Sequence, residues 1–354
     1  MRIGESTIAI LAAATAVVGL SGQDSLARET YTFRETKTFE IGRMPSVTLE
    51  TVSGDASYEG IEGTTAELEI LIEVRADDST EAEEIRNKLH LLIEGEEGRL
   101  LAKIDNANEF YRWLNRGFHP DRSVDVSFYA RGPKDADPIL SSVSGDVDVE
   151  NVTGVLDAES VSGDVRAAEL TGRAHITNVS GDVNVRQCAN SLDVTTVSGE
   201  IQVLECGADL KLEAVSGEIM ASGVVGPVVG ETVSGDVELR GVGASVTMET
   251  VSGDIRLEQD KGGFDLETTS GAVTVHSGGD GDMRIGTVSG GVTLMIDPAG
   301  VGEVILETSA GEMEIDAPIR LQKHSHDRLS GQFGDGTSTL RVNTSSGDIL
   351  LSEL

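Results

Sequence analysis

The sequence predicts an all-β fold: a parallel, two-sheeted β-solenoid with coils of about 18 residues and a small α+β cap at its N-terminal end. A VSGD-like step places Gly145, Gly163, Gly181, Gly199, Gly217, Gly235, Gly253 and Gly271 at a constant interval of eighteen residues. Within each interval, apolar and polar residues alternate with period two. The composition fits a core of small aliphatic side chains, since aromatic residues are 3% of the chain and Gly supplies 42 of its 354 residues.

The period fixes what each position requires. Two places after the marker Gly stand Val147, Val165, Val183, Ile201, Ile219, Val237, Ile255 and Val273, and two places further stand aliphatic or Ala residues. The intervening residues are mostly polar, the pattern of a strand with one buried face. A second turn follows near Gly154, Gly172 or Gly207. A second alternating run comes next, as in "SLDVTTV", whose Leu192, Val194 and Val197 read as its apolar side. On this reading the valines flanking each SGD feed the core. Strand, turn, strand, turn in so short a repeat makes one coil of a narrow solenoid, with equivalent residues stacked about 4.8 Å apart. A propeller blade needs a repeat of about 40 residues. Looser copies follow at Gly290, Gly311 and Gly347, interrupted by "APIRLQKHSHDRLSGQFGDG", and one copy with Gly54 stands alone near the N-terminus.

Residues 28–140 differ from the repeats and read as the cap, with the repeat array proper at 141–354. After the isolated Gly54 copy comes a long alternating strand, "AELEILIEV". Thr80 and Glu83 then have capping-box spacing at the start of a short helix. "HLLIEG" and "RLLAKID" read as paired strands, "NEFYRWLNRGFHPDRS" as an aromatic loop, and "VDVSFYAR" as a last strand. Such a cap would cover strand edges that otherwise invite aggregation.

Residues 1–27 read as a secretory signal peptide: Arg2, an apolar run from Ile8 to Leu20, then Ser25-Leu26-Ala27 as a small-x-small cleavage site. Glu5 offsets Arg2, so an uncleaved anchor stays open as the alternative. The run is short for a membrane span, no Cys follows it, and no second apolar stretch follows near the C-terminus. The expectation is an exported chain, in the periplasm or at the cell surface. A net charge of -34 argues against nucleic acid and anionic membrane as partners, because both require a basic surface.

With its serial VSGD and VSGE steps from Val143 to Asp254, its ending "LSGQFGDGTSTLRVNTSSGDILL" and its early "SVTLETVSGDASYEG", the chain resembles a bacterial β-strand-repeat family of unknown function catalogued as putative adhesins. The resemblance covers nearly the whole mature chain. It is specific to the architecture and carries over no catalytic residues. The reading of the whole sequence is a non-enzymatic, adhesin-like structural or interaction module of the cell envelope, with an envelope protein or glycan as partner, self-association left open and no cofactor.

The candidate sites each have a plainer reading. Asp146, Asp164, Asp182, Asp236 and Asp254 would stack into a row of hard oxygen ligands for Ca²⁺. The nine-residue GGxGxDxUx calcium roll is absent, however, and the plainer reading favours Gly making a corner whose backbone the Ser and Asp satisfy. Repulsion between carboxylates one coil apart is only about 0.9 kcal/mol in water, so such a ladder survives without a cation. Glu213, Glu231, Glu249 and Glu267 form an outward acidic stripe, which either attracts a basic partner or serves as a solvated face; charge runs favour the second. Cys188 and Cys206, the only cysteines, sit one coil apart, which outside the cytoplasm favours a disulfide over two buried thiols. His324 and His326, with Asp327, are a weak transition-metal candidate. Phe110, Tyr111, Trp113 and Phe118 would stack on sugar rings or dock a protein, but such a cluster more often packs as core. A polysaccharide lyase or hydrolase is the rival class. It needs acidic and basic groups gathered on a broad face, which an eighteen-residue coil does not offer.

Overall fold

The computed structural model describes residues 29–115, 122–207 and 209–354; the expected signal peptide and Phe118 lie outside them. Of the described residues, those up to Gly172 form one compact unit and those from Arg173 to Leu354 a second. Both are built from parallel strands that bury alternate side chains, so the class read from the period is the class observed.

The first unit contains β1 (Glu29–Glu40), β2 (Ser46–Ser53), β3 (Ala56–Ile61), β4 (Thr65–Ala76), α1 (Ser79–Lys88), β5 (Leu91–Glu96), β6 (Arg99–Ile104), α2 (Ala107–Leu114), β7 (Ser123–Pro133), β8 (Asp137–Ser144), β9 (Val147–Val152), β10 (Leu156–Ser162) and β11 (Val165–Leu170). One sheet runs β1-β4-β7-β3-β9-β11 and the other β10-β8-β2-β6-β5. The Gly54 copy is not isolated in space. Its β2 pairs in parallel with β8, Ser53 opposite Ser144, and β3 pairs with β9, Ala56 opposite Val147. The residues from 65 to 133 are thus an excursion between two neighbouring coils, and the compact unit extends past residue 140 to include the first VSGD coils. Antiparallel β4 and β1 finish one sheet and antiparallel β5 the other.

Two local expectations in the cap change. Helix α1 is capped two residues earlier than the Thr80–Glu83 spacing suggests: the Asp78 carboxylate accepts from Glu81 N–H at 2.8 Å, and Glu81 Oε2 accepts from Asp77 N–H at 2.7 Å. Asp is at least as good an N-cap as Thr, and this start places Ala82 and Ile85 in the core. The segment around Phe110 is helix rather than loop, because Phe110 and Leu114 at i and i+4 give it a buried face.

In the second unit one sheet stacks Val183–Cys188, Ile201–Leu204, Ile219–Ser222, Val237–Val242, Ile255–Gln259, Val273–Ser277 and Val292–Ile296. The other stacks Ala174–Ser180, Leu192–Ser198, Leu210–Ser216, Val228–Ser234, Val246–Ser252, Phe264–Ser270 and Met283–Ser289. Register follows the repeat, Leu192 opposite Leu210 and Val228 opposite Val246. Inward columns such as Val183, Ile201, Ile219 and Val237 are fully buried.

At the C-terminal end the stacking order departs from chain order. Strand Ser338–Ser346 lies between Met283–Ser289 and Val301–Thr308, and Ile349–Glu353 lies between Val292–Ile296 and Met313–Asp316. The last coil to be synthesised is therefore an inner one. The interruption forms an antiparallel extension, Arg328–Gln332 pairing with Val301–Thr308 and with Arg320–His324. The outermost strand, Arg320–His324, is wholly exposed, and its Arg320 and Lys323 suit an edge that must not pair further.

Candidate functional site

The SGD corner begins with glycine. At Gly217 φ is +146°, and an added Cβ would stand 1.9 Å from the carbonyl oxygen of Gly199 in the neighbouring coil, so the position needs glycine both for its backbone and for the closeness of the stack. The Asp of the step then bonds across coils. Asp146 Oδ1 accepts from Asp164 N–H at 2.9 Å, Asp182 Oδ1 from Glu200 N–H at 3.0 Å, Asp236 Oδ1 from Asp254 N–H at 2.8 Å, and Asp254 Oδ1 from Ala272 N–H at 2.8 Å. The Ser of the step contributes less than expected: Ser216, for example, is solvent-exposed and its hydroxyl has no partner among the described residues.

Alongside this ladder the charges are managed differently in the two units. In the first, the Arg166 guanidinium sits 2.7 Å from both Asp146 and Asp164 and 3.7 Å from Asp148. Burial alone would push the Asp146 carboxyl up, but Arg166 and the Asp164 N–H outweigh it and hold it below the ordinary aspartate range. In the second unit burial, together with Asp182 and Glu218 in the coils on either side, raises Glu200 above the usual carboxylate range. Among the described residues no group of three or more His, Cys, Asp or Glu converges as a metal site. His324 is exposed on the edge strand, and Asp327 accepts from the Ser325 hydroxyl at 2.7 Å within the turn that follows it.

Hydropathy misleads at the residues just before the corner. The Val of VSGD points outward: Val179, Val197, Val215, Val233, Val251 and Val288 are 40% to 53% exposed, and so are Val143 and Val161 in the first unit. The inward residue is the one before it, a buried Ser, Thr or Asn in most coils. In some coils its hydroxyl reaches the corner glycine carbonyl of a neighbouring coil, as Ser160 does to Gly145 at 3.3 Å, Thr268 to Gly253 at 3.4 Å and Thr308 to Gly347 at 3.1 Å, whereas the buried hydroxyls of Thr196, Thr232, Thr250, Thr287 and Thr344 have no partner among the described residues. Where that bond forms it satisfies a carbonyl that would otherwise cost about 1–3 kcal/mol to bury unpaired, and the period-two pleat sends Val to solvent.

The second turn falls where Gly154 and Gly172 suggested, but the left-handed residue three places before each of them is not a glycine. Asn151, Glu169, Gln187 and Glu205 adopt φ between 56° and 57°, a left-handed turn made without glycine. At the two further copies, Gly223 and Gly241 take the same place with φ of 66° and 59°. Glu and Gln are not turn formers, so nothing in their identity signals the bend.

On the outer face of the Ala174–Ser180 sheet of the second unit, the glutamate and valine columns run side by side. Glu213, Glu231, Glu249 and Glu267 are opposite one another in register, with Gly286 and Asn343 continuing the column. A shallow groove of about 410 Å³ follows these columns, lined by Glu231, Glu249, Glu267, Val251, Val288 and Gly286 among others. It meets a second groove of about 740 Å³ at Gly286 and Asn343, where Arg284 and Arg341 stand opposite one another among Asp265, Asp282 and Glu307.

Cys188 and Cys206 form a disulfide with Cα atoms 4.6 Å apart, tying two adjacent coils. On α2, Phe110 is buried, its ring 5.3 Å from Tyr111 and 6.0 Å from Trp113. Burial, with Asp125 nearby, pushes the Tyr111 hydroxyl up to about 12, and it donates to the Val124 carbonyl at 3.4 Å. The Lys88 ammonium lies 4.0 Å from the centre of the Trp113 ring. The described aromatics thus divide between packing inward and supporting a cation–π contact.

Coils of short period in register, whose corner carboxylates and buried hydroxyls face the neighbouring backbone, define a parallel β-solenoid of repeat type. The chain belongs to the Toastrack DUF4097 family, whose model matches residues 137–206 and 187–352. No curated protein sequence matches it. Among solved structures it is similar to a putative adhesin from Parabacteroides distasonis ATCC 8503, at 13% identity over 74% of this chain and 97% of that one, with a TM-score of 0.40. It is also similar to a putative lipid binding protein from the same strain, at 15% identity over 90% and 96% of the two chains, with a TM-score of 0.33. Among the described residues no helix is long and apolar enough to cross a membrane.

Proposed function

We propose that the chain is a non-catalytic, adhesin-like interaction module of the bacterial cell envelope, exported through its N-terminal segment and acting in the periplasm or at the cell surface. The observation that carries this reading is the use made of the repeated polar groups. Corner aspartates hold backbone N–H groups of adjacent coils, and in several coils a buried hydroxyl holds a corner carbonyl. The role these repeated polar groups play is architectural, and what the molecule offers to other molecules is its outward ladders. The disulfide between Cys188 and Cys206 supports an oxidising compartment.

The full chain expressed in a bacterial host tests both halves. The expected result is a mature form beginning near residue 28 in the envelope fraction, and no release of reducing ends from envelope polysaccharides by the purified protein. A full-length cytoplasmic chain would overturn export; glycan cleavage lost on substitution of Asp282, Arg284 or Glu307 in the larger groove would overturn the non-catalytic reading in favour of a β-helix enzyme.

A further inference from the structure

We propose that the paired glutamate and valine ladders of the second unit are a docking surface for a basic amphipathic α-helix of a partner protein, with Gly286 providing the notch that seats its largest apolar side chain. The inference rests on the interaction-module reading and adds to it a surface and a partner chemistry.

Exposed valines alone would reflect only the preference of β-branched residues for strands. Here they are half exposed at the same position of successive coils, Val215, Val233 and Val251 among them, and each follows a glutamate of the acidic column by two residues. An apolar row beside an acidic row is the complement of a helix with one apolar and one basic stripe. Among the described residues Glu231 and Glu249 have no basic side chain within ion-pair distance, while Glu213 meets Lys211 at 2.7 Å and Glu267 meets Arg284 at 3.5 Å. The free carboxylates are therefore at the centre of the row.

Spacing selects the helix. Ladder residues repeat at about 4.8 Å, and a helix laid along the stack presents a side chain every turn at about 5.4 Å. The mismatch is about 0.6 Å per coil, within the reach of Lys and Arg side chains over four coils. An extended strand repeats its facing side chains at about 6.8 Å and falls out of step at once. A second copy of this chain would bring its own acidic row against this one, at a net charge of -34 per chain.

Gly286 interrupts the glutamate column where the two grooves meet. Neither its backbone nor its neighbours demand glycine there: no left-handed φ is present, and an added Cβ would meet only the Glu267 side chain, at 3.7 Å. What the missing side chain does is leave space beside Val288 and Thr269. That space has the form of an anchor pocket at the end of a charged row.

The test is fluorescence anisotropy of the full chain with a labelled Leu/Lys peptide of about 18 residues whose leucines share one helical face. A control peptide has the same composition and no amphipathic pattern. The amphipathic peptide is expected to bind at least about tenfold more tightly than the control near physiological salt. V215S/V233S/V251S, at exposed positions, is expected to weaken binding about tenfold with little change in melting temperature. Gly286→Glu separates the proposal from simple polyanion attraction: filling the notch weakens binding if the surface docks a helix, whereas the added charge tightens it if charge alone acts. Tighter binding by Gly286→Glu, equal binding of the two peptides, or self-association abolished by the Val substitutions would each overturn the proposal. Should the triple variant not fold, Glu249→Gln alone is expected to weaken the amphipathic peptide and reduce its salt dependence. Failure here with export and the absence of glycan cleavage intact removes this surface only; a cytoplasmic location or glycan cleavage removes the broader reading.

Discussion

Gly217→Ala is expected to lower the melting temperature of the protein by about 10 °C, while Ser216→Ala one residue earlier changes it by about 1 °C or less. The added methyl would stand 1.9 Å from Gly199 O at a φ of +146°. Left-handed backbone at a residue with a Cβ costs about 1–3 kcal/mol, and the overlap adds about 1–3 kcal/mol through displacement of the coil. Because Gly217 N–H also donates to Ser234 O at 3.1 Å, moving the corner strains the coil on its other side too. Ser216 is the control: it belongs to the same motif but is solvent-exposed, so its truncation leaves the stack intact. Thermal denaturation by circular dichroism distinguishes the two outcomes.

Removal of residues 338–354 is expected to release an internal part of the array. Leu340, Val342, Ile349 and Leu351 are fully buried, and at about 1.5–3 kcal/mol each their loss approaches the whole stability of a domain. Their strands also hold Val301–Thr308 and Met313–Asp316 to the remaining coils. Hydrogen exchange of the truncated chain should therefore show residues 301–316 unprotected and coils from Leu192 to Ser252 close to their original protection, since repeat arrays lose order locally. If the coils stacked in chain order, the truncation would remove only an outer coil, and residues 301–316 would remain protected.

The contrast between these two predictions shows where sequence reading succeeds. A strict eighteen-residue period and aliphatic alternation specify a two-sheeted coil, and the corner glycine follows from the same column. Stacking order is not specified, because TSSGD at Gly347 and TSAGE at Gly311 are chemically equivalent corners and either fits beside Gly290. The Gly54 copy presents the same ambiguity: its place beside Gly145 depends on pairing across an excursion that carries no repeat. Orientation at VSGD was misread because valine is apolar, although the position is set by pleat parity, which turns the residue before the valine inward. Of the candidate surface, the glutamate column is legible as a spacing of eighteen. The valine column beside it and the notch at Gly286 become visible only once the direction of each side chain is known.

The central claim is that the corner aspartates hold coils together rather than cations, and a calcium titration of melting temperature tests it most directly. The full chain and its Asp236→Asn and Asp236→Ala variants would each be melted in chelator and in millimolar Ca²⁺. Asn keeps an oxygen to accept from Asp254 N–H but gives up the negative charge that strengthens calcium binding, whereas Ala has neither. The account predicts that Asn melts within about 1–2 °C of the parent, that Ala melts lower by about 3 °C or more, and that calcium moves none of the three. A melting temperature raised by calcium in the parent and not in Asp236→Asn would contradict it.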